Sequence, residues 1–278
     1  MRLLRLLPLA LALLAGPRNA GATEPVLVVA DGGSNQAFTA AALLARPDCA
    51  AVTVPKDVSY RRQMEYRAVP LLALLGSIGD RRFDTLEARA TDGFVTQIPI
   101  RLVAAGGTGG AVAWVAVEDP THPWPPLPRL SESAGPFYLV WVHPERSGVR
   151  TEQWPYALAS VTLVESPMHR WPQLALPPGK ADDATLQRGQ EVFLVQCFAC
   201  HRLYGAGAGE MGPDLGTPQS ATRYLTDSGL HDIIRDPRAV RIWPTQLMKG
   251  FDDVALPEAD LDAVVAYLHA MDGTFTAK

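Results

Sequence analysis

The pentapeptide Cys197-Phe198-Ala199-Cys200-His201 constrains the fold of this chain more than any other segment. On one turn of helix the two cysteines lie at i and i+3 and the histidine at i+4, so the three side chains share a face. This C-x-x-C-H spacing is the attachment signature of c-type haem, with both sulfurs bonded to the porphyrin and the imidazole offered to the iron. The segment therefore predicts one covalently bound haem c.

Two other chemistries use a C-x-x-C pair, namely thiol redox catalysis and zinc binding. A zinc site needs further ligands, and the other cysteine of the chain, Cys49, is far away in sequence. A thioredoxin-like site would follow a strand, whereas the pattern of residues 186–196 predicts a helix. Both alternatives are weaker than haem attachment.

Residues 1–22 have the pattern of a secretory signal. Arg2 and Arg5 form a basic start, residues 6–15 are apolar, and an A-x-A site predicts cleavage after Ala22. An uncleaved anchor is the alternative, although the apolar run is too short for an ordinary membrane span. Export predicts a periplasmic location without a membrane span after cleavage. Losing three arginines and no acid would change the formal charge from −4 to −7, which argues against a nucleic-acid partner.

The mature chain is predicted to contain two domains, a β-rich α+β domain at residues 23–171 and an all-α domain at residues 182–278. The intervening residues 172–181 contain several prolines and a glycine, which predicts a semi-rigid linker. The predicted β-type runs are residues 26–30, 50–54, 94–103, 111–117, 137–142 and 157–165. Two short helices are predicted, at residues 40–45 after the Thr39 cap and at residues 71–75 after Pro70.

Two helices are predicted in the second domain. Asp182 or Asp183 caps the first, which continues to about Gln196. The second begins at Pro257 and has acidic residues in its first turn, where the helix dipole favours them. Gly189 is expected where the two helices cross, because a close crossing requires a residue without a side chain.

A wider set of motifs surrounds the pentapeptide: Gly189-x3-Phe193-x3-Cys197, Gly212-Pro213-Asp214-Leu215, Met248 within residues 242–251, and residues 255–268. Together they resemble the class I monohaem cytochromes c over residues 181–270. The resemblance implies that Cys197 and Cys200 form the thioether bonds and that His201 is the proximal iron ligand. It also implies that the Pro213 carbonyl orients His201 and that Met248 is the distal ligand.

Met248 has three competitors for the distal position. It follows His201 by 47 residues, which is enough chain to pass round the porphyrin, whereas Met211 follows by only 10. Met271 lies beyond the helix that packs on the first, and His231 precedes an ordinary apolar helix face. In the family a proline often follows the distal methionine, and this chain has Lys249-Gly250 instead.

The first domain is similar to the molybdopterin-binding domain of the sulfite oxidase fold over residues 38–165. The segments that support this are residues 64–75, 92–100, 114–119, 135–142 and 152–163. That family binds molybdenum through a cysteine after an early strand, where this chain has Pro55, and Cys49 lies before the strand. Phosphate binding would fall to Arg61, Arg62 and Arg67, a cluster that also suits a solvated face. The sequence therefore argues against molybdopterin.

These features favour a periplasmic electron carrier over an enzyme. Its first domain would be a non-catalytic module that docks a redox partner, such as a dehydrogenase or a terminal oxidase. One alternative is a molybdopterin-dependent oxidoreductase fused to its own cytochrome c acceptor, and the missing cysteine weighs against it. Another is a haem that binds gas or peroxide, which requires that Met248 does not bind the iron.

Overall fold

A computed structural model describes residues 24–31, 33–76, 78 and 82–274 of the 278-residue chain. The predicted signal at residues 1–22 lies outside the described residues. The first half of the described chain is rich in strands, and the last third is helical. None of the helices within the described ranges has the length and apolar character needed to span a bilayer.

The strands lie in the sheet-rich region. They are β1 (Val26–Ala30), β2 (Asn35–Thr39), β3 (Ala50–Val54), β4 (Met64–Pro70), β5 (Thr85–Ala90), β6 (Val95–Pro99), β7 (Val112–Val117), β8 (Phe137–Val142) and β9 (Leu158–Val164). The helices are α1 (Ala40–Leu44), α2 (Leu71–Leu75), α3 (Ile100–Ala104), α4 (Pro167–Arg170), α5 (Ala184–Val192), α6 (Ala221–Tyr224), α7 (Asp227–Arg235), α8 (Pro237–Val240) and α9 (Glu258–Met271).

The strands form two sheets around one apolar core. One sheet has the order β2-β1-β9-β5-β6, in which β1 and β9 are parallel, and the other has the antiparallel order β3-β4-β7-β8. Strand β8 is buried along nearly its whole length, and Phe137, Tyr138 and Trp141 are fully enclosed. The alternating burial of β5 places Leu86 and Ala88 in the same core.

Several predicted elements have these bounds or differ from them by one residue at an end, and one predicted run is divided. The strand at residues 137–142 and the helix at residues 71–75 coincide with β8 and α2, and the side chain of Thr39 caps α1. The run predicted at residues 94–103 is instead divided, because β6 ends at Pro99 and α3 begins at Ile100. Proline supplies no backbone donor for a ladder but suits the start of a helix.

The helical region is organised by the crossing of α5 and α9. Asp183 caps α5 by accepting from the backbone N–H groups of Thr185 and Leu186, 2.9 and 3.1 Å away. Gly189 lies at the crossing, where an added Cβ would collide with the carbonyl oxygen of Ala263 and lie 2.7 Å from the Cβ of Tyr267. The structure therefore contains the close helix crossing for which a glycine was expected at this position.

Residues 172–181 are packed at their start rather than free. Residues Pro172–Leu174 form a 3₁₀ turn, and Leu174 is completely buried in the helical core. The carbonyl oxygen of Leu174 accepts from Gln190 Nε2 and from the hydroxyl of Tyr267, at 2.8 and 2.9 Å. The segment predicted as a linker is thus attached to both α5 and α9.

Ion pairs and a backbone hydrogen bond join the two regions directly. Arg170 of α4, the short helix that leads into the helical region, lies 2.7 Å from the largely buried carboxylate of Glu87 on β5. Asp260 on α9 accepts from Arg188 of α5 and from Arg150 of the sheet-rich region, the latter at 3.1 Å. The backbone N–H of Val95 at the edge strand β6 donates to the Ala199 carbonyl, 2.9 Å away. The edge of the sheet therefore contacts the C-x-x-C-H motif itself.

Candidate functional site

The C-x-x-C-H residues lie on one compact turn. Helix α5 continues into a π-helical turn, Phe193–Cys197, after which the carbonyl oxygen of Cys197 accepts from the N–H groups of Cys200 and His201, at 3.1 and 2.9 Å. Both thiols are free. Burial raises the pKa of each thiol to about 12, so both are protonated at neutral pH. The turn presents two unpaired sulfurs beside one imidazole.

His201 is held by a single well-defined hydrogen bond. Its Nδ1 lies 2.8 Å from the carbonyl oxygen of Pro213. Because a carbonyl can only accept, Nδ1 carries the hydrogen, and Nε2 of a neutral ring is left with a free lone pair. Burial lowers the pKa of His201, against the opposing effects of Pro213 and Asp214, which favours that neutral form. The ring is therefore prepared to bind a metal through Nε2.

The loop that carries Pro213 is shaped to fit the ring. A Cβ at Gly212 would lie 2.6 Å from Nδ1 of His201, so the loop can pass close to the imidazole only with glycine there. The carboxylate of Asp214 fixes the chain on either side. It accepts from the backbone N–H groups of Tyr204, Gly205, Gly216 and Thr217, at 2.7 to 3.0 Å. These four hydrogen bonds fix the loop and therefore the position of the Pro213 carbonyl.

Met248 lies in an irregular segment, residues 241–250, whose end is anchored on α7. The Phe251 N–H donates to the Ile234 carbonyl at 3.0 Å, and Gly250, at φ +76°, passes close against the carbonyl of Arg235. Met248 itself is half-buried. Its neighbour Lys249 places Nζ 5.4 Å from the centre of the Tyr156 ring and acts electrostatically on Cys200. The segment therefore reaches the surroundings of the cysteines.

The three competitors occupy different places. Met211 Sδ lies 3.8 Å from Cys200 Sγ, so it borders the cysteines directly. Met271 is buried in the helical core. His231 faces carboxylates with both ring nitrogens, Nδ1 3.6 Å from Glu258 and Nε2 3.5 Å from Asp262. The position of His231 disfavours an axial role, whereas Met211 remains an alternative to Met248.

Unsatisfied groups near these residues fit a haem with apolar faces and polar edges. Within the described residues, both polar atoms of the Gln246 side chain and Oε1 of Gln196 are buried without a hydrogen-bond partner. In the same segment as Met248, Ile242 and Leu247 are 79 % and 57 % exposed. Large apolar residues beside orphaned polar atoms indicate a surface that a further group covers. Together with the donors Cys197, Cys200 and His201, this surface fits a covalently attached haem.

The sheet-rich region supplies one side of the site. Glu152, from the 3₁₀ turn Thr151–Gln153, acts electrostatically on both Cys197 and Cys200. The exposed Asp92 also acts on Cys200, and Cys200 in turn acts on Tyr156. Sequence reasoning missed the role of these residues and included Glu152 only in residues 152–163, one of the segments that resemble the sulfite oxidase fold. No spacing in the sequence could have found them, because the contact is made across two regions of the chain.

The residues considered for a molybdenum site come together only in part. Pro55 directly follows β3 and is exposed, and Cys49 precedes the same strand at its other end, half-buried. Arg67 Nη2 lies 3.5 Å from Cys49 Sγ, whereas Arg61 and Arg62 are exposed in the turn between β3 and β4. A shallow groove beside β4 is lined by Arg67, Asp119, His122 and Trp124, among others. It holds none of the chain's three cysteines.

Comparison with known protein families gives a match in the helical region. The family model described as cytochrome c matches residues 186–272, from α5 through the end of α9. The match contains the C-x-x-C-H turn, Pro213, Met211 and Met248. A search of curated proteins gives no match to the chain.

Proposed function

Because residues 186–272 form a cytochrome c domain, with the haem-based electron transfer that this family performs, we propose that the protein is an exported single-electron carrier. A covalently bound haem c would supply a one-electron couple at its iron. Cys197 and Cys200 would form the two thioether bonds, and His201 and Met248 would be the axial ligands. The periplasm is the proposed location, because residues 1–22 have the pattern of a cleaved signal.

The hydrogen bond between His201 and Pro213 is the observation on which this proposal depends. It fixes the tautomer of His201 and leaves the lone pair of Nε2 free to bind a metal. A hydrogen bond of this kind also makes the imidazole a stronger donor to iron. Two further features hold the Pro213 carbonyl in place: Gly212 lies against the imidazole ring, and Asp214 accepts from four backbone N–H groups. A histidine that served only as a core residue would not require them.

Met248 is the proposed distal ligand. Its segment is anchored on α7 and brings Lys249 to the side of Tyr156. A thioether ligand favours ferrous iron and raises the reduction potential, which suits a protein that accepts and passes on electrons. Lys249-Gly250 replaces the proline that often follows in the family, and the positive φ of Gly250 allows the chain to turn towards α7.

We assign the sheet-rich region the role of a non-catalytic module that contacts the redox partner. Pro55 offers no metal ligand after β3, and Cys49 lies at the opposite end of that strand. A soft thiolate is the donor that a molybdenum site of this fold would require. The partner is proposed to be a dehydrogenase or a terminal oxidase.

The deciding experiment is metal and haem analysis of the protein purified from the periplasm. We expect about one iron per chain, essentially no molybdenum, and haem that stays with the polypeptide after denaturation and acid–acetone extraction. Haem that washes out would overturn the c-type assignment. Stoichiometric molybdenum that is lost in a Cys49→Ser variant would instead establish the alternative, a molybdopterin oxidoreductase fused to its acceptor.

A further inference from the structure

Glu152 is a carboxylate that the sheet-rich region delivers to the cysteines of the helical region. Its 3₁₀ turn is held by two hydrogen bonds of Gln153. The Arg150 N–H donates to Gln153 Oε1 at 2.9 Å, and the indole N–H of Trp141 donates to the Gln153 carbonyl at 2.8 Å. Gln153 and Trp141 are both buried. The backbone that carries Glu152 is therefore fixed by the core of the sheet-rich region.

The 3₁₀ turn that carries Glu152 packs against the π-helical turn Phe193–Cys197, and charged and titratable groups from several elements interact electrostatically with Glu152. Cys197 and Cys200 come from the C-x-x-C-H turn, Lys249 from the segment of Met248, and Tyr156 from the approach to β9. Thr151 precedes Glu152 in the same turn, and Asp92 acts on Tyr156 and Cys200 from the turn between β5 and β6. Lys249 is the one cation among these groups.

The environment of Glu152 disfavours the ionised form of its carboxyl group. Burial raises the pKa of Glu152 to about 7, against the lowering effects of Lys249 and Thr151. A carboxyl with such a pKa changes charge within the physiological range, whereas an exposed glutamate is ionised throughout it. A change in the charge of the neighbouring site would therefore change the proton occupancy of this group.

We propose that Glu152 sets the reduction potential of the attached haem and couples its reduction to the uptake of a proton. This inference rests on the proposed function, because the two thioether sulfurs place the porphyrin edge beside Cys197 and Cys200. An ionised carboxylate there stabilises the oxidised, more positive site and so lowers its potential. Protonation of the carboxylate removes that effect.

The coupled step balances in charge. One electron enters from the redox partner, and the iron site loses one positive charge. The pKa of Glu152 is then higher in the reduced than in the oxidised protein, so between the two pKa values Glu152 takes one proton from water. The potential should fall as the pH rises through this range and level off on either side.

The test is a pair of matched variants in the full-length holoprotein, Glu152→Gln and Glu145→Gln. Glu145 also lies in a 3₁₀ turn of the sheet-rich region, but its side chain is 69 % exposed. Potentials would be measured by optical titration with mediators from about pH 5 to about pH 9, a range that spans the ordinary pKa values of histidine and the shifted carboxyl. We expect Glu152→Gln to raise the potential at high pH, to flatten the pH dependence, and to match the wild type at low pH. Glu145→Gln should follow the wild type throughout.

Two further measurements keep the test decisive. Glu152→Asp retains an ionisable group and should restore a pH dependence that Glu152→Gln loses. In the wild type, the reduced-minus-oxidised infrared spectrum near neutral pH should contain a protonated-carboxyl band, absent from Glu152→Gln. If haem is covalently bound and reversibly reduced but neither the potential nor this band depends on Glu152, the inference fails while the proposed function stands. Protein without covalent haem would overturn both.

Discussion

The sheet-rich and helical regions differ in how completely each fills its own core. In the sheet-rich region, Trp141, Tyr138 and Phe137 are enclosed by side chains of the two sheets. Its buried Asp57 is fully satisfied, accepting from two backbone N–H groups and from the hydroxyls of Tyr66 and Tyr138. A region of this kind can fold on side-chain packing alone.

The helical region has more buried polar atoms without partners, although among the described residues the hydroxyl of Thr151 in the sheet-rich region also lacks one. Gln246 and Gln196 have buried polar atoms without partners among the described residues, and Ile242 and Leu247 are exposed in the same segment as Met248. Small domains bury a smaller fraction of their surface than large ones, and a cofactor can add to their core. The sheets therefore pack mainly on their own side chains, whereas the helical region leaves apolar and polar groups that an attached haem would cover.

The largest effect is expected from removing both thioether sites. A Cys197→Ser/Cys200→Ser variant should lose all covalently bound haem and, with it, the separate unfolding transition of the helical region. The sheet-rich region should keep its own transition, because its core contains neither residue. Haem staining after denaturing electrophoresis and calorimetry would measure these changes. Cys49→Ser is the control, and haem retained by the double variant would contradict the assignment.

The next effect concerns the iron alone. Met248→Ala should abolish the weak far-red charge-transfer band of a ferric haem with a sulfur ligand, lower the reduction potential and allow carbon monoxide to bind. Met211→Ala is the matched variant, because Met211 Sδ lies only 3.8 Å from Cys200 Sγ. If the band persists in Met248→Ala and disappears in Met211→Ala, the distal ligand is Met211.

A stability difference is expected at the crossing of α5 and α9. In a helix, Gly→Ala ordinarily stabilises by about 0.5–1 kcal/mol. At Gly189 the added Cβ would collide with the Ala263 carbonyl, and such overpacking costs roughly 1–3 kcal/mol, so Gly189→Ala should destabilise. Gly107→Ala is the control, since a Cβ there meets nothing within 4 Å. Denaturant titration that shows equal effects of the two changes would argue against the close crossing.

The sequence allowed prediction of features that depend on local spacing. The helix cap at Thr39, the strand at residues 137–142 and the helices around Gly189 follow from neighbouring residues. Strand β5 was missed because its apolar face contains small residues, Ala88 and Ala90, and its other face includes the charged Glu87. Arg170 pairs with Glu87 from a helix far along the chain, and no local pattern records that contact.

The candidate site likewise contains residues that local spacing indicates and residues that it does not. The cysteines and His201 lie on one turn, so their spacing alone indicates their chemistry. Glu152, Tyr156 and Asp92 reach Cys200 only through the packing of the two regions. The burial of Leu174 in the helical core is likewise a contact that the prolines of residues 172–181 do not indicate. Long-range packing is the part that periodicity and spacing do not encode.

The smallest effect is expected at the ion pair that joins the regions. Asp260 is 7 % exposed, and its hydrogen bond with Arg188, together with Arg150, holds the pKa of its carboxyl below the usual value. A lowered folded-state pKa gives stability that is present above the unfolded pKa and is lost as the pH falls through the folded pKa. Because both arginines are partly exposed, Asp260→Asn should cost only about 1 kcal/mol of unfolding free energy at pH 7 and less below about pH 4.

Arg150→Gln should weaken the link between the regions, and Arg188→Gln should weaken the link between α5 and α9. Denaturant unfolding followed separately in the two regions would distinguish them, and an equal response of both regions to both changes would contradict this division.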